Sequence, residues 1–202
     1  MRKRGVLVAL AVVFIFAGLV YADDISEQII TAKKLYEEGK YSQAVEELQF
    51  TIGQIQSLQV DQLKKALPEP LTGWKGEEAK GSIAPMGMLG GGGLSVSRYY
   101  YKEDSDESIH IEILGQSPLL QSIMMYFQNP AFLASEPNSK LVRVDGKKAV
   151  EKFSPQGKEG ELSLILEGKT IVRVEGSNIS KKDILYEYMK KVDFETIKKV
   201  TG

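Results

Sequence analysis

The sequence predicts an α+β protein, in which an N-terminal helical hairpin precedes an antiparallel sheet of about six or seven strands with helices packed on it. Three observations lead to this prediction. Apolar residues recur every three or four positions before residue 67, they alternate with polar residues after it, and residues 181–200 return to the helical period. The composition is globular, with 43% hydrophobic and 26% charged residues among 202.

Residues 1–22 have the three parts of a secretory signal. A basic start at residues 2–4 precedes an apolar run over 6–16, and Ala22 follows Val20 at the spacing that a signal peptidase reads. We therefore expect cleavage after Ala22, a periplasmic or secreted mature protein, and no remaining membrane span. The alternative is an uncleaved anchor, but the apolar stretch over 5–20 is shorter than the roughly 20 residues needed to cross a bilayer.

The composition narrows the classes of function. The chain has no cysteine, which excludes disulfides, thiolate metal sites, a cysteine nucleophile and a lipid-anchored form of the signal. There are 26 basic and 27 acidic residues; residues 1–22 hold three basic and no acidic ones, so their removal changes the formal charge from −1 to −4. A mildly acidic chain of this kind is not expected to bind nucleic acid.

The spacing of apolar residues over 23–66 predicts two antiparallel helices, and the first helix is expected to end at Gly39-Lys40. The expected inner face of the first helix contains Ile25, Ile29, Ala32 and Tyr36, and that of the second contains Val45, Leu48, Ile52, Ile55 and Leu58 and continues to Leu63 and Leu67.

The run AKKLYEEGKYSQAVEELQ resembles one tetratricopeptide-repeat unit, in which small and aromatic residues let two helices nest closely. The resemblance rests on Ala32, Leu35, Gly39, Tyr41, Ala44 and Leu48. Thr51 departs from the pattern, and no second repeat follows. Because repeat arrays need about three units, we expect a lone hairpin that packs on its own domain or on a partner chain.

Pro68 and Pro70 end the helical region, because each proline forces the preceding residue to be extended. Residues 67–202 are therefore predicted to be a separate α+β domain. Its expected strands are a weak one near 73–80, a pair around the turn at 105–107, and four more around the turns Asp145-Gly146 and Gly168-Lys169.

Two helices are expected in this domain. Ser117 and Pro118 fit the start of a helix that runs towards residue 133. Ser180 is the predicted cap of a helix over 181–200, whose inner side contains Ile184, Leu185, Tyr188, Met189 and Val192.

The order of these elements is similar to the sandwich of PsbP-like and Mog1-like domains. The run LPEPLTGW, the glycine cluster and the run SVSRYY also resemble a group of uncharacterised secreted bacterial proteins. This resemblance implies a fold and a compartment, and it implies no activity.

The glycine-rich stretch over 81–93 is the most unusual local feature. Gly90–Gly93 lead into a strand without the lysine and helix of a phosphate-binding loop, so we expect a mobile connection between strands. Met86, Met88, Met124 and Met125 could be soft ligands for Cu(I), but packing or contact roles are favoured.

His110 is the only histidine, and strand parity places it opposite Ile109 and Ile111 on the sheet. Glu112, Arg143 and Arg173 are expected on the same polar face. An arginine pair there could bind a carboxylate or phosphate; the alternative, which is favoured, is cross-strand charge pairing. A solvated turn is predicted at Asp104, Asp106 and Glu107, because these acidic residues do not have the spacing of a calcium loop.

The residues supply no catalytic, cofactor-binding or metal site, so no enzyme and no cofactor are predicted. The sequence favours an exported interaction or structural module of the bacterial envelope, whose partner is another envelope protein or a second copy. The alternative is a periplasmic protein that binds a small or apolar ligand between its sheet and helices.

Overall fold

The computed structural model describes residues 24–84, 93–115 and 135–202, together with a few single positions between 120 and 133. The predicted α+β class is confirmed: in the described residues a helical pair comes first, an antiparallel sheet follows, and two helices lie at the C-terminal end. The chain divides into two compact units between Leu58 and Gln59. This point lies inside a helix, ahead of the boundary expected between residues 66 and 67.

The first unit is built on a helical hairpin. Helix α1 covers residues 24–37, and helix α2 covers Tyr41–Lys65. Gly39 joins them with a φ of 75°, a conformation that glycine adopts without strain. The Gly39 and Lys40 amides donate to the carbonyls of Tyr36 and Leu35, which satisfies the end of α1.

The inner face of this hairpin consists of small residues. Ala32, Ala44 and Thr51 are at most 3% exposed, and the Thr51 hydroxyl lies 3.4 Å from Gln28 Oε1 on the other helix. The larger residues expected on that face are instead 39–65% exposed: Ile29, Tyr36, Val45, Leu48, Ile52, Ile55 and Leu58. The prediction is therefore correct for Ala32 and wrong for these large residues, because small side chains let the helices approach and turn the large ones outward.

The C-terminal part of α2 belongs to the second unit. Val60, Leu63, Ala66 and Leu67 are buried in the core of that unit. Gln59 Nε2 also donates to the carbonyl of Val200, at 3.0 Å. The expected continuation of an apolar face to Leu63 and Leu67 is thus present, but it serves the sheet domain.

Eight strands of the described residues form one sheet, in the order β1-β3-β4-β8-β7-β6-β5, with β2 also paired to β3. All neighbours are antiparallel. The strands are β1 Trp74–Gly76, β2 Lys80–Ala84, β3 Gly93–Lys102, β4 Ser108–Gly115, β5 Ser139–Val144, β6 Lys147–Ser154, β7 Glu159–Leu166 and β8 Thr170–Ser177.

Hairpin turns set the register of the four later strands. Asp145 and Gly146 both have positive φ, as a two-residue hairpin turn requires, and this turn was predicted. In the last hairpin the positive φ values fall on Glu167 and Gly168, one residue before the predicted pair. In place of the single weak strand predicted near residues 73–80, the structure has two short strands, β1 and β2.

One face of the sheet carries the core. Inward residues of the central strands, among them Tyr100, Ile111, Leu164 and Val174, are fully buried. They cluster with residues of two C-terminal helices, α3 Asp183–Lys191 and α4 Phe194–Thr201. Opposed glycines on β7 and β8, Gly160 and Gly176, let α3 approach: a Cβ on Gly160 would lie 2.8 Å from Leu185.

The single helix predicted over 181–200 is wrong. Val192 is extended, and the Asp193 carboxylate accepts from the amides of Glu195 and Thr196, which starts a new helix. Ser180 is not the cap of α3, since that position is Lys182, whose side chain makes no capping bond. The predicted inner residues are otherwise correct, because Leu185, Tyr188, Met189 and Val192 are buried.

Two predicted features fall partly outside the described residues. The helix over 118–133 is represented by helical positions such as 120, 124 and 128 only. Of the stretch 81–93, residues 81–84 belong to β2 and Gly93 begins β3, so these ends are strand and not a mobile connection. Gly90–Gly92, Met86 and Met88 lie outside the described residues.

Candidate functional site

A row of polar residues crosses the face of the sheet opposite the core. The strand register places His110 directly opposite Tyr99 on β3 and Glu175 on β8, and Glu175 opposite Glu161 on β7. The neighbouring row places Glu112 opposite Arg173. Strand parity therefore predicted this face correctly, with His110 and Glu112 turned away from the isoleucines of β4.

His110 is held by two neighbours. Its Nδ1 lies 3.1 Å from Glu175 Oε2, and since a carboxylate only accepts, Nδ1 carries the hydrogen. The ring stacks on Tyr99, with centroids 4.0 Å apart and planes at 11°. Hydrogen bonding from His110 is the main influence that lowers the pKa of Glu175; burial opposes it, and Arg173 adds to it.

The other nitrogen of His110 is buried and has no hydrogen-bond partner among the described residues. A nucleophilic triad needs a hydroxyl or thiol within hydrogen-bond reach of that nitrogen. The described residues thus provide a histidine with a carboxylate behind it and no nucleophile in front of it.

Arg173 connects the two rows. Its Nη2 lies 2.5 Å from Glu112 Oε2, and its Nη1 lies 3.5 Å from Glu175 Oε1. Ser95 Oγ donates to the second oxygen of Glu112, at 3.3 Å. Burial alone would lower the pKa of Arg173, but the hydrogen bond to Glu112 and the charges of Glu175, Glu112 and Glu161 outweigh it, and the pKa is raised. Arg173 is therefore engaged in cross-strand charge pairing.

Arg143 does not join Arg173. It donates to the carbonyl of Gly146, at 2.8 Å, within the β5–β6 turn. Its strand β5 is separated from β8 by β6 and β7. The arginine pair considered as an anion site is thus not assembled, whereas Glu112, Arg173 and His110 are brought together.

A cleft of about 510 Å³ opens over one end of this polar face. Three carboxylates line it, Glu159, Glu161 and Glu175, and its basic lining residues are Lys152 and His110. Serine hydroxyls add hydrogen-bonding capacity at Ser108, Ser154 and Ser177. The shape and chemistry suit a small hydroxylated or cationic molecule.

The first unit presents a different kind of surface. Five residues of α2 form an apolar line, here named the hairpin stripe, that is 39–63% exposed: Tyr41, Val45, Leu48, Ile52 and Ile55. Ile29, Ile30, Tyr36, Phe50 and Leu58 are also exposed in this unit. Soluble domains rarely leave large contiguous apolar patches uncovered unless the patch binds something.

The remaining sequence candidates take structural roles or carry no site. Glu107 pairs with Lys102 at 2.6 Å, and Asp104 and Asp106 are exposed in the β3–β4 turn. Met125 is half exposed and Met124 is partly buried. Within the described residues, no three histidine, aspartate or glutamate side chains are grouped as metal ligands.

Two polar clusters were not predicted. Glu151 is buried on the inward face of β6 and contacts Lys140, Lys182 and Tyr186. Arg98 donates to the carbonyls of Pro68 and Glu77 and to the Glu69 carboxylate, which fixes the proline segment. In both clusters the sequence places a charged residue at a strand position that faces the core, and this could have indicated a buried polar contact.

Comparison with known proteins adds no relative to this description. No family model matches the chain, and neither the curated proteins nor the solved structures include a significant match. In the part of the chain that the structure describes, no helix has the length and apolar character needed to cross a membrane.

Proposed function

We propose that the protein is an exported, non-enzymatic module of the bacterial envelope that acts by binding another protein chain through the hairpin stripe. The observation that carries this proposal is the exposure of five apolar residues along one side of α2. Burying a fully exposed apolar side chain of this size stabilises by roughly 1.5–3 kcal/mol, and covering these partly exposed residues recovers a fraction of that for each. A partner that covers the stripe recovers this free energy.

The position of the stripe supports the proposal. The buried contact between α1 and α2 is made by Ala32, Ala44 and Thr51, and the stripe residues lie beside this contact and stay exposed. The resemblance to a tetratricopeptide unit is consistent with this role, since such units pack against further helices.

The N-terminal sequence supports export. A basic start, an apolar run and small residues at Val20 and Ala22 are the features of a cleavable signal. Intact-mass measurement of protein recovered from the envelope fraction is expected to show a chain that begins at Asp23. Retention of residues 1–22 would contradict export through a cleaved signal.

Site-specific photocrosslinking tests the binding surface in the native host. A photoreactive phenylalanine analogue at Val45, within the stripe, is expected to give a discrete adduct. The matched control is the same analogue at Glu46, which is exposed one position away on a different side of the helix. Absence of any adduct at Val45, or equal adducts at both positions, would remove the basis for the proposal.

A second candidate function is favoured by the cleft beside His110. Its carboxylates and serine hydroxyls suit a small hydroxylated or cationic ligand. Native mass spectrometry of protein purified from its own host is expected to show a bound small molecule, and Glu161→Lys is expected to lose it. A ligand-free mass for the unmodified protein would exclude this candidate.

A further inference from the structure

The cleft beside His110 lies where like charges face each other across two strands. The register of β7 and β8 places Glu161 directly opposite Glu175, and both line the cleft. Glu159 is two positions from Glu161 on β7, so it lies on the same face. Carboxylates at directly opposed positions destabilise a sheet. Proteins keep such local conflicts mainly at functional sites.

Lys152 does not neutralise these carboxylates, although the register places it directly opposite Glu161. Its Nζ lies 2.6 Å from Glu136 Oε2. Glu161 instead accepts from the neutral hydroxyl of Ser163, at 2.6 Å. In the part of the chain that the structure describes, Glu159 and Glu161 therefore form no ion pair, and their negative charge is open to a ligand.

The other basic groups near the cleft are directed at Glu175. His110 donates from Nδ1 to its Oε2, at 3.1 Å, and Arg173 Nη1 lies 3.5 Å from its Oε1. With the hydrogen on Nδ1, the neutral ring of His110 has only an acceptor at Nε2, and this buried atom has no partner among the described residues. Groups that donate hydrogen bonds match this wall of acceptors, whereas an anion does not.

The cleft has the size and lining of a small-molecule site. Its volume of about 510 Å³ lies within the range of roughly 300–1,000 Å³ that ligand pockets have. Phe153 adds an apolar part to the lining. The Cα atoms of Glu159 and Glu161 are about 6.6 Å apart, which is twice the rise of a strand. This spacing suits two positive groups joined by a short aliphatic chain.

We infer that the cleft binds a small organic cation that carries two amino groups on a short aliphatic chain. One ammonium group lies at Glu159, and the other lies between Glu161 and Glu175. Charge-assisted hydrogen bonds from these groups offset the repulsion between the carboxylates. The inference is independent of the hairpin stripe, and it rests on the second candidate function and narrows its class of ligand.

A pair of probes that differ only in charge tests the inference. Putrescine, a four-carbon diamine, is added to the isotope-labelled full chain, and amide signals are followed by nuclear magnetic resonance. Signals of β7 and β8 at the cleft are expected to shift and saturate. The corresponding butanediol, in which hydroxyl groups replace both amino groups, is expected to leave them unchanged. Added sodium chloride is expected to weaken the binding of putrescine, since salt screens ion pairs.

Glutamine variants locate the bound amino groups. Glu159→Gln and Glu161→Gln are each expected to weaken the binding of putrescine about threefold, and together about tenfold. Glu187→Gln is the matched control, because Glu187 is exposed on α3 and does not line the cleft. Glu159 is also exposed, so its variant is expected to keep the fold, and circular dichroism checks this.

The outcomes separate this inference from both candidate functions. Equal binding of butanediol and putrescine would overturn the cationic class and leave a ligand site in the cleft standing. Unshifted cleft signals with putrescine, or the same affinity in the Glu159→Gln, Glu161→Gln and Glu187→Gln variants, would overturn the inference. Photocrosslinking at the hairpin stripe is decided separately, since no stripe residue lines the cleft.

Discussion

Glu151 shows how one buried residue joins three elements of the second unit. Its side chain is 3% exposed, and it accepts from Tyr186 and from Lys182 and Lys140, whose Nζ atoms lie 3.0 and 3.2 Å away. Burial acts to raise its pKa, but these hydrogen bonds outweigh it and the pKa is lowered. Strand β5, strand β6 and the start of α3 are thereby connected.

This arrangement predicts a pH-dependent contribution to stability. The folded-state pKa of Glu151 lies below its unfolded value of about 4.3. Its contribution is therefore fully present above that value and is lost as the pH falls through the folded pKa. Chemical denaturation is expected to show Glu151→Gln less stable than wild type at pH 7, by about 1–3 kcal/mol, with a smaller difference at pH 3.

Glu195→Gln is the control for this measurement. Its side chain is 84% exposed in a surface ion pair, so its effect is expected to stay within about 0.5 kcal/mol. A difference between Glu151→Gln and wild type that does not change between pH 7 and pH 3 would contradict the pH dependence.

The alternation of side chains between the two faces of a strand explains which site residues were predictable. The alternation of β4 and β8 was enough to place His110, Glu112 and Arg173 on one face. The strand order was not readable from the sequence, so the separation of Arg143 from Arg173 was not predictable. The partners of Glu151 lie eleven positions before it and more than thirty after it, and sequence spacing does not reveal such contacts.

At the scale of elements, α2 is one helix with two different environments. Its first part presents the exposed hairpin stripe, and its last part places Leu63 in the core of the second unit at 0% exposure. Periodicity predicted a single continuous apolar face, because a helical period records which residues are apolar and not what covers them. The break at Asp193 was missed for a similar reason, since an Asp inside a helical pattern is also compatible with a solvated face.

Substitutions in the two parts of α2 are expected to differ in their effect on the second unit. Leu63→Ala removes a fully buried side chain and is expected to cost about 2–5 kcal/mol. Ile52→Ala, in the stripe, is expected to leave the stability of that unit unchanged. Denaturation followed by the fluorescence of Trp74, the only tryptophan and a core residue, measures this unit. Equal losses in both variants would show that the stripe is also part of the core.

At the scale of the whole molecule, the two units differ in how they are stabilised. The second unit has an extensive core between its sheet and helices, in which Trp74 contacts Tyr188 at 5.6 Å between ring centroids. In the described part of the first unit, the buried residues are Ala32, Ala44 and Thr51. A helical pair with so little buried surface is marginal alone, so the stability of the first unit depends on what covers the stripe.

This difference predicts two unfolding transitions with different concentration dependence. If a second copy covers the stripe, the transition of the first unit, followed by far-ultraviolet circular dichroism, is expected to move to higher temperature as protein concentration rises, because association stabilises the folded form by mass action. The transition reported by Trp74 is expected not to move. Ile52→Lys is expected to remove the concentration dependence of the first transition alone. The opposite result would be that circular dichroism and Trp74 fluorescence report the same transition at every concentration. The chain would then unfold as one cooperative body, and the hairpin would draw its stability from the sheet domain and not from a partner.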